Sequence, residues 1–261
     1  QALIQGFETP TTPSGLPLNW VNFESGAASE SWFTDTSAPH TGTKSALLYG
    51  ENIGVGVSAK YYIATPLVTI PVNGQLRFWV KTSLQGNQGG VFKVKVASGA
   101  LTSNQTNEAA YTTLQTYTES QLSTNVAPAP IVYEEQVINF PATYPANTQV
   151  YIAFVSEVTQ ASQFQGDDFY LDDVLVVSRC LEPTTLAAGT FTATSAVLSW
   201  TNPNPIIGAG LNTCNQWEIE IIPTTQLAPT GAGILVNTNP YTATTLTAAP
   251  FAPLQPLTQY K

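Results

Sequence analysis

Charged side chains are scarce in this sequence: Asp, Glu, Lys and Arg make up only 10% of its 261 residues, against about a quarter in ordinary globular domains. Of those present, 17 are acids and 8 are bases, for a formal charge of −9. A field of that sign repels phosphate backbones and excludes general nucleic-acid binding. Methionine is absent and histidine occurs once. That one, His40, sits in a Pro-His-Thr-Gly turn with no neighbouring cysteine, and there is no Gly-x-Ser-x-Gly or His-Glu-x-x-His element. A Ser-His-Asp triad and a zinc hydrolase site therefore have no support. Carboxylate pairs abound among 17 acids, but none stands in a recognisable glycosidase setting. No run reaches the roughly 18 apolar residues that span a bilayer. No charged-then-apolar pattern opens the given sequence, and the start at Gln1 without any methionine leads us to expect a portion of a longer protein.

What is present is alternation. Leu76-Arg77-Phe78-Trp79-Val80-Lys81 and Phe92-Lys93-Val94-Lys95-Val96 have period two, and Val150 to Val155 is apolar on both faces. Turn signals fall between: Val72-Asn73-Gly74, Gln85-Gly86-Asn87 with Gly89-Gly90, and Pro145-Ala146-Asn147. The pattern predicts an all-β chain. Glu108 to Leu122 is the best helical candidate, weakened by its threonines. Ala97 to Pro130 reads as a long polar excursion between strands. A boundary between two sandwiches is expected at Ser178 to Pro183, where a hydrophobic strand gives way to Arg-Cys-Leu-Glu-Pro. The only cysteines, Cys180 and Cys214, lie in the second part. A bridge between them would contribute about 3–4 kcal/mol in the chain-entropy model; two separate buried thiols are the alternative.

Residues 1–179 resemble the jelly-roll family of cleaved adhesin modules of bacterial surface proteases, also called choice-of-anchor J domains, and more distantly the MAM domain. The matching pieces are Phe7-Glu8, Trp20, Ser31-Trp32, His40-Thr41-Gly42 before Ser45-Ala46-Leu47, Ala64 to Ile70, Leu76 to Val80 and Phe169 to Val174. The Ala97–Pro130 stretch departs from the pattern. Residues 181–261 resemble a fibronectin type III domain lacking its last strands. Ser195–Thr201, Gln216–Ile222 and Tyr241–Leu246 would be three of its strands, and Leu254 to Tyr260 its tyrosine corner. The resemblance implies a secreted or outer-surface protein of Bacteroidota, exported by a type IX route, in which such modules accompany other domains of a longer chain.

Two candidate sites follow. In a jelly roll the first and last strands are neighbours, which would bring Glu8 close to Asp172, or to Asp173 on the opposite face. The resemblance implies a structural Ca²⁺ there, with Thr43 and Ser45 of the Gly42–Ser45 turn among its oxygen donors; solvated acids or strand caps are the plainer reading. For the second site, a hairpin of the two alternating strands would gather Arg77, Trp79, Lys81, Lys93 and Lys95 on one sheet face, a surface for acidic sugars. The plainer reading is lysines that guard strand edges. Asp167-Asp168 is an acidic loop near the metal or a solvated turn. Trp20, Trp32, Tyr61 and Tyr62 are expected in the core, and the Asn104-Gln105-Thr106 sequon is expected to be idle. The function expected is adhesion or ligand presentation without catalysis, with a surface polysaccharide or host glycan as partner. An accessory carbohydrate-binding module of a secreted hydrolase, and a spacer or filament subunit without its own ligand, are the alternatives.

Overall fold

The structure is a computed structural model and describes residues 3–9, 15–122, 130–161, 166–191, 196–203, 217–227, 233–236 and 242–243. The chain divides into two compact units, Gln1–Ser178 and Arg179–Lys261.

The first unit is a β-sandwich. Its strands are β1 (Leu3–Gln5), β2 (Val21–Gly26), β3 (Phe33–Asp35), β4 (Ser45–Leu48), β5 (Ser58–Ala64), β6 (Val68–Thr69), β7 (Gly74–Thr82), β8 (Gly90–Ser98), β9 (Tyr111–Thr118), β10 (Glu134–Asn139), β11 (Gln149–Thr159) and β12 (Phe169–Ser178). One antiparallel sheet runs β10-β7-β12-β4-β3 with β1 added on β12; the other runs β2-β5-β11-β8-β9 with β6 added on β11. The opening and closing strands pair directly, Leu3 opposite Val176 and Gln5 opposite Val174.

Alternation decides which side chains meet. Leu76, Phe78 and Val80 of β7 and Phe92, Val94 and Val96 of β8 are buried and face one another across the sandwich. Phe78 packs on Phe154 at 5.0 Å between ring centroids, Phe92 on Phe169 at 5.6 Å, and Trp32 on Phe92 at 6.5 Å. Burial of one such ring contributes about 2–3 kcal/mol, so this aromatic layer welds the sheets together. β11 is apolar on both faces because both are covered. Its Ile152 and Phe154 enter the main core, while Ala153 and Val155 join Tyr62 and Ala64 in a second cluster against Val21, Phe23 and Tyr111. Trp20, Trp32, Tyr61 and Tyr62 are all buried.

Two expectations are overturned. β7 and β8 do not form a hairpin: β7 pairs with β10 and β12, and β8 with β9 and β11. The turn-rich Ser83–Gly89 segment instead crosses from one sheet to the other, so the inward residues of both strands meet face to face. Glu108 to Leu122 is not one helix either. Glu108–Ala110 is a single 3₁₀ turn, Tyr111–Thr118 is β9, and Glu119–Leu122 is one helical turn. Four threonines at 112, 113, 116 and 118 suit a strand on the free edge of β8 better than a helix.

In the second unit the described strands are β13 (Thr184–Phe191), β14 (Ala196–Thr201), β15 (Trp217–Ile219), β16 (Ile234–Val236) and β17 (Thr242–Ala243). They form the sheet β13-β14-β17 and the pair β15-β16. Trp200 is buried with its ring 6.2 Å from Trp217. Cys180 is disulfide-bonded; Cys214 and the Leu254–Tyr260 segment lie outside the described residues.

Candidate functional site

Three carboxylates converge on the turn between β3 and β4. Glu8, just beyond β1, accepts from Thr43 N at 3.0 Å, Thr43 Oγ1 at 2.7 Å and Lys44 N at 3.1 Å. Asp172 accepts from His40 N at 2.9 Å and Thr41 N at 3.2 Å. Asp173 accepts from Thr41 Oγ1 at 2.8 Å, and its Oδ2 lies 2.7 Å from His40 Nδ1. Gly42 is required at the apex. Its φ is +65°, and a Cβ there would fall 2.3 Å from Glu8 Oε1.

Strand alternation places Asp172 and Asp173 on opposite faces, and the structure corrects this. A β-bulge interrupts the β7–β12 register between Asp172 and Leu175, with Asp173 at φ +46°. The extra residue turns both carboxyls toward the same turn. Phe7, at φ +56° and fully buried, makes the matching bend that delivers Glu8.

The electrostatics of the two gripping acids differ. Hydrogen bonds from the Thr43 hydroxyl and backbone hold the exposed Glu8 carboxyl below its ordinary range. Asp172 is fully buried, and desolvation pushes it up to about 6 despite its backbone donors. No lysine, arginine or histidine forms an ion pair with it among the described residues. Ser45 Oγ is also buried, next to the Tyr133 hydroxyl, without a well-formed hydrogen bond. Carboxylate and hydroxyl oxygens are the hard donors that Ca²⁺ takes, and a buried carboxylate without a counter-ion accommodates one. Among the described residues, no three His, Cys, Asp or Glu side chains are gathered as a metal cluster.

The predicted five-residue basic face is divided between the two sheets. Arg77 Nε donates to Glu135 Oε1 at 2.6 Å across β7–β10. Lys93 and Lys95 lie on the other sheet, both bound to Glu157 at 2.5 and 2.8 Å. Trp79 is not a free platform, because His40 stacks on it with centroids 4.0 Å apart and planes 15° apart. Lys81 is held between two rings, 5.0 Å from the centroid of Tyr133 and 4.9 Å from that of Tyr170. Burial lowers its pKa.

Around Lys81 the register builds a row that sequence reasoning missed. Phe33 lies opposite Leu47, Leu47 opposite Tyr170, and Tyr170 opposite Lys81. Tyr133 sits over the far end and donates to Ala38 O at 2.8 Å. Tyr49 extends the row beside Phe33 at 5.3 Å and is 46% exposed. These rings come from four separated segments, so no local motif marks them. The one sequence signal is the Pro-His-Thr-Gly turn that supplies His40.

Asp167 is neither solvated nor at the 40–44 turn. It is 3% exposed and accepts from Ser83 N and Leu84 N, both at 2.9 Å. His40 and Asp173 have the contact of a catalytic dyad, but among the described residues no hydroxyl hydrogen-bonds the imidazole. No helix among these residues is long and apolar enough to cross a membrane.

No protein-family model matches the chain. The K1 cleaved adhesin domain of Lys-gingipain from Porphyromonas gingivalis W83 is 19% identical, with 68% of this chain and 98% of that one covered and a TM-score of 0.49. A structure of carbohydrate-binding modules from the beta-sandwich superfamily is 9% identical, covering 66% of this chain and 60% of that one at a TM-score of 0.44. In sequence, Hemagglutinin A of strain ATCC BAA-308 / W83 is 28% identical over 194 residues, 67% of this chain and 8% of that protein. By sequence, then, two thirds of this chain is similar to a segment of Porphyromonas gingivalis Hemagglutinin A, at 30% identity over 192 residues that span 67% of this chain and only 7% of that protein.

Proposed function

We propose that this chain is a non-catalytic adhesion module of an extracellular or cell-surface protein, and that its first unit binds a glycan on the outer face of the β7–β12 sheet. The observation that carries this reading is the aromatic row of Phe33, Tyr49, Tyr170 and Tyr133 around Lys81. Rings on a sheet face pack against sugar faces, and neighbouring carboxylates accept from sugar hydroxyls. Burial first, then the charges of Asp172 and Asp173 near Tyr133 and of Asp168 and Asp35 near Tyr170, raise those hydroxyls. Asp172 is fully buried, so Asp35, Asp168 and Asp173 are the carboxylates within reach of a sugar. With Arg77 paired to Glu135 and Lys81 desolvated between two rings, a neutral glycan is favoured over an acidic sugar. The similarity to Hemagglutinin A supports the adhesive role and the extracellular setting. A screen of neutral and acidic polysaccharides by affinity electrophoresis tests it. We expect retardation by a neutral polymer, lost in Tyr170→Ala with Tyr133→Ala. Retardation by none, or by acidic polymers alone, would sink it.

In the same reading the 40–44 turn binds a structural Ca²⁺ through Glu8 and Asp172, with Thr43, Ser45 and turn carbonyls as further donors. The ion neutralises Asp172 and locks β1 to β12 through the turn that carries His40. Melting in calcium and after exhaustive chelation is the test; equal melting temperatures would remove the metal. The second unit is proposed as a fibronectin type III-like sandwich closed by a Cys180–Cys214 bridge, for which intact mass before and after reduction and alkylation is decisive.

A further inference from the structure

A second polar centre lies in the first unit, around a small, partly open cavity of about 10 Å³. That is room for one water molecule or one monoatomic ion. Its wall includes Gly50, Glu51, Tyr61, Gly90, Ser156 and Asp167. Asp167 Oδ1 accepts from Ser83 N, Ser83 Oγ and Leu84 N at 2.8–2.9 Å. Its other oxygen, Oδ2, is buried and has no hydrogen-bond partner among the described residues. A buried carboxylate oxygen left bare costs about 1–3 kcal/mol or more, so something absent from the protein itself is expected to meet it.

The surroundings favour a cation over water. Glu51 lies on the same wall and accepts from Ser29 N, Glu30 N and the Tyr61 hydroxyl. Behind Gly90, the fully buried Glu119 accepts from Gly90 N at 2.7 Å and from Gln88 N. Burial raises both Asp167 and Glu119, and the charge on Asp167 raises Glu119 further. A water molecule would satisfy Oδ2 alone, whereas a cation would satisfy it and also offset the burial that disfavours the charged form of Asp167. The glycines have a steric reason. A Cβ on Gly50 would fall 2.9 Å from Asp167 N, and one on Gly90 2.7 Å from Glu119 Oε1. They let the Gly50 main chain pack closely on Asp167 and the Gly90 main chain on Glu119.

We propose that this cavity is a second cation site, separate from the 40–44 turn, which takes one calcium-class divalent ion on Asp167 Oδ2. Glu51 and main-chain carbonyls complete its shell, since no three acidic, His or Cys side chains converge there among the described residues and Ca²⁺ accepts carbonyl oxygens readily. The ion fixes the sheet-to-sheet crossing, because Asp167 holds Ser83 and Leu84 at its start and Glu119 holds Gln88 and Gly90 at its end.

Native mass spectrometry of the chelator-stripped chain after calcium addition tests this, by counting ions on the wild type, Asp167→Asn and Glu8→Gln. Asp167→Asn should bind one calcium fewer than the wild type, and Glu8→Gln should keep that ion. If the turn takes no metal, the wild type binds one ion, lost in Asp167→Asn and kept in Glu8→Gln, so the two sites are distinguished. Equal counts in wild type and Asp167→Asn, or no calcium on either, would overturn the proposal and leave the cavity to water. Should Asp167→Asn fail to fold, Ser156→Val narrows the cavity while leaving the Asp167 bonds intact. Undiminished calcium uptake by that variant would equally overturn the site.

Discussion

The outer faces of the two sheets both set lysines beside aromatic rings, and they use them in opposite ways. On the β8–β11 face, Lys93 and Lys95 share Glu157, and Lys95 also lies 5.4 Å from the centroid of Tyr62. Phe23 stacks on Tyr62 at 4.3 Å, Tyr111 closes over both, and Lys60 pairs with Glu108 from the 3₁₀ segment. The result is a small closed core. On the β7–β12 face, Lys81 has two rings and no carboxylate within ion-pair distance among the described residues, and Tyr49 beyond it is 46% exposed. The difference comes from what the rest of the chain lays over each face. Over one lie residues 101–111, with Tyr111 near Tyr62 and Glu108 on Lys60; over the other, His40 of the 40–44 turn stacks on Trp79 and Tyr133 closes on Lys81, while Tyr49 stays exposed. Charge and aromaticity are thus common to both faces, and what lies over them differs.

The comparison assumes one shared core behind both faces, and Phe92→Ala attacks that assumption hardest. Phe92 is fully buried and touches rings from both sheets. Its truncation should cost about 3–5 kcal/mol, read from urea denaturation, with tryptophan fluorescence and circular dichroism moving together. Separate transitions, or a loss below about 1 kcal/mol, would show that the sheets are not welded there.

Asp172 sharpens the contrast through pH. Its carboxyl is raised from 3.8 to about 6 by burial. A raised acid supports folding in its protonated form, so its contribution is fully present below about pH 3.8 and is lost as pH rises through about 6. In chelator-treated protein, Asp172→Asn should remove on the order of 2 kcal/mol of that decline. Parallel stability profiles for wild type and variant between about pH 4 and 6 would refute the assignment.

Glu157 on the closed face runs the other way. Its pKa is lowered overall: its bonds to Lys93 and Lys95 outweigh a large opposing effect of burial. The stability it supplies is present above the unfolded value of 4.5 and lost as pH falls through the lower folded value. Glu157→Gln should cost about 1–3 kcal/mol near neutral pH and much less at acid pH. A penalty independent of pH would mean that the lysine pairs contribute little.

How much of this was legible follows from range. The pairing of first and last strands could be anticipated because Phe7-Glu8 and Phe169 to Val174 are recognisable pieces, and β1 does lie on β12. The inward faces of β7 and β8 were legible because period two fixes them locally. Their arrangement was not. A hairpin and a crossing both bury Phe78 and Phe92, and Gly86, Gly89 and Gly90 permit either. The choice is made by β10 and β11, whose strands lie some 60 residues downstream. The bulge at Asp173 left no mark, since an aspartate at positive φ looks like any other. The Tyr133–Lys81–Tyr170 assembly needs three strands in register, which no single window contains.

The smallest effect on stability is expected where the open face is proposed to act. Burial lowers the pKa of Lys81, so the folded state does not favour its charge. Cation–π contact returns about 0.5–2 kcal/mol at a partly desolvated site, offsetting that burial cost, and a methionine there would bury its apolar length instead. Lys81→Met should therefore change stability by less than about 1 kcal/mol. If the ammonium serves to hold Tyr133 and Tyr170 at a fixed spacing, the same variant should lose retardation by the neutral polymer, while Lys81→Arg keeps most of it. The matched change on the closed face, Lys93→Met, should leave binding untouched. Equal behaviour of the two methionine variants would erase the distinction between the faces, because the lysine in the open row would then be no more than a solubilising group.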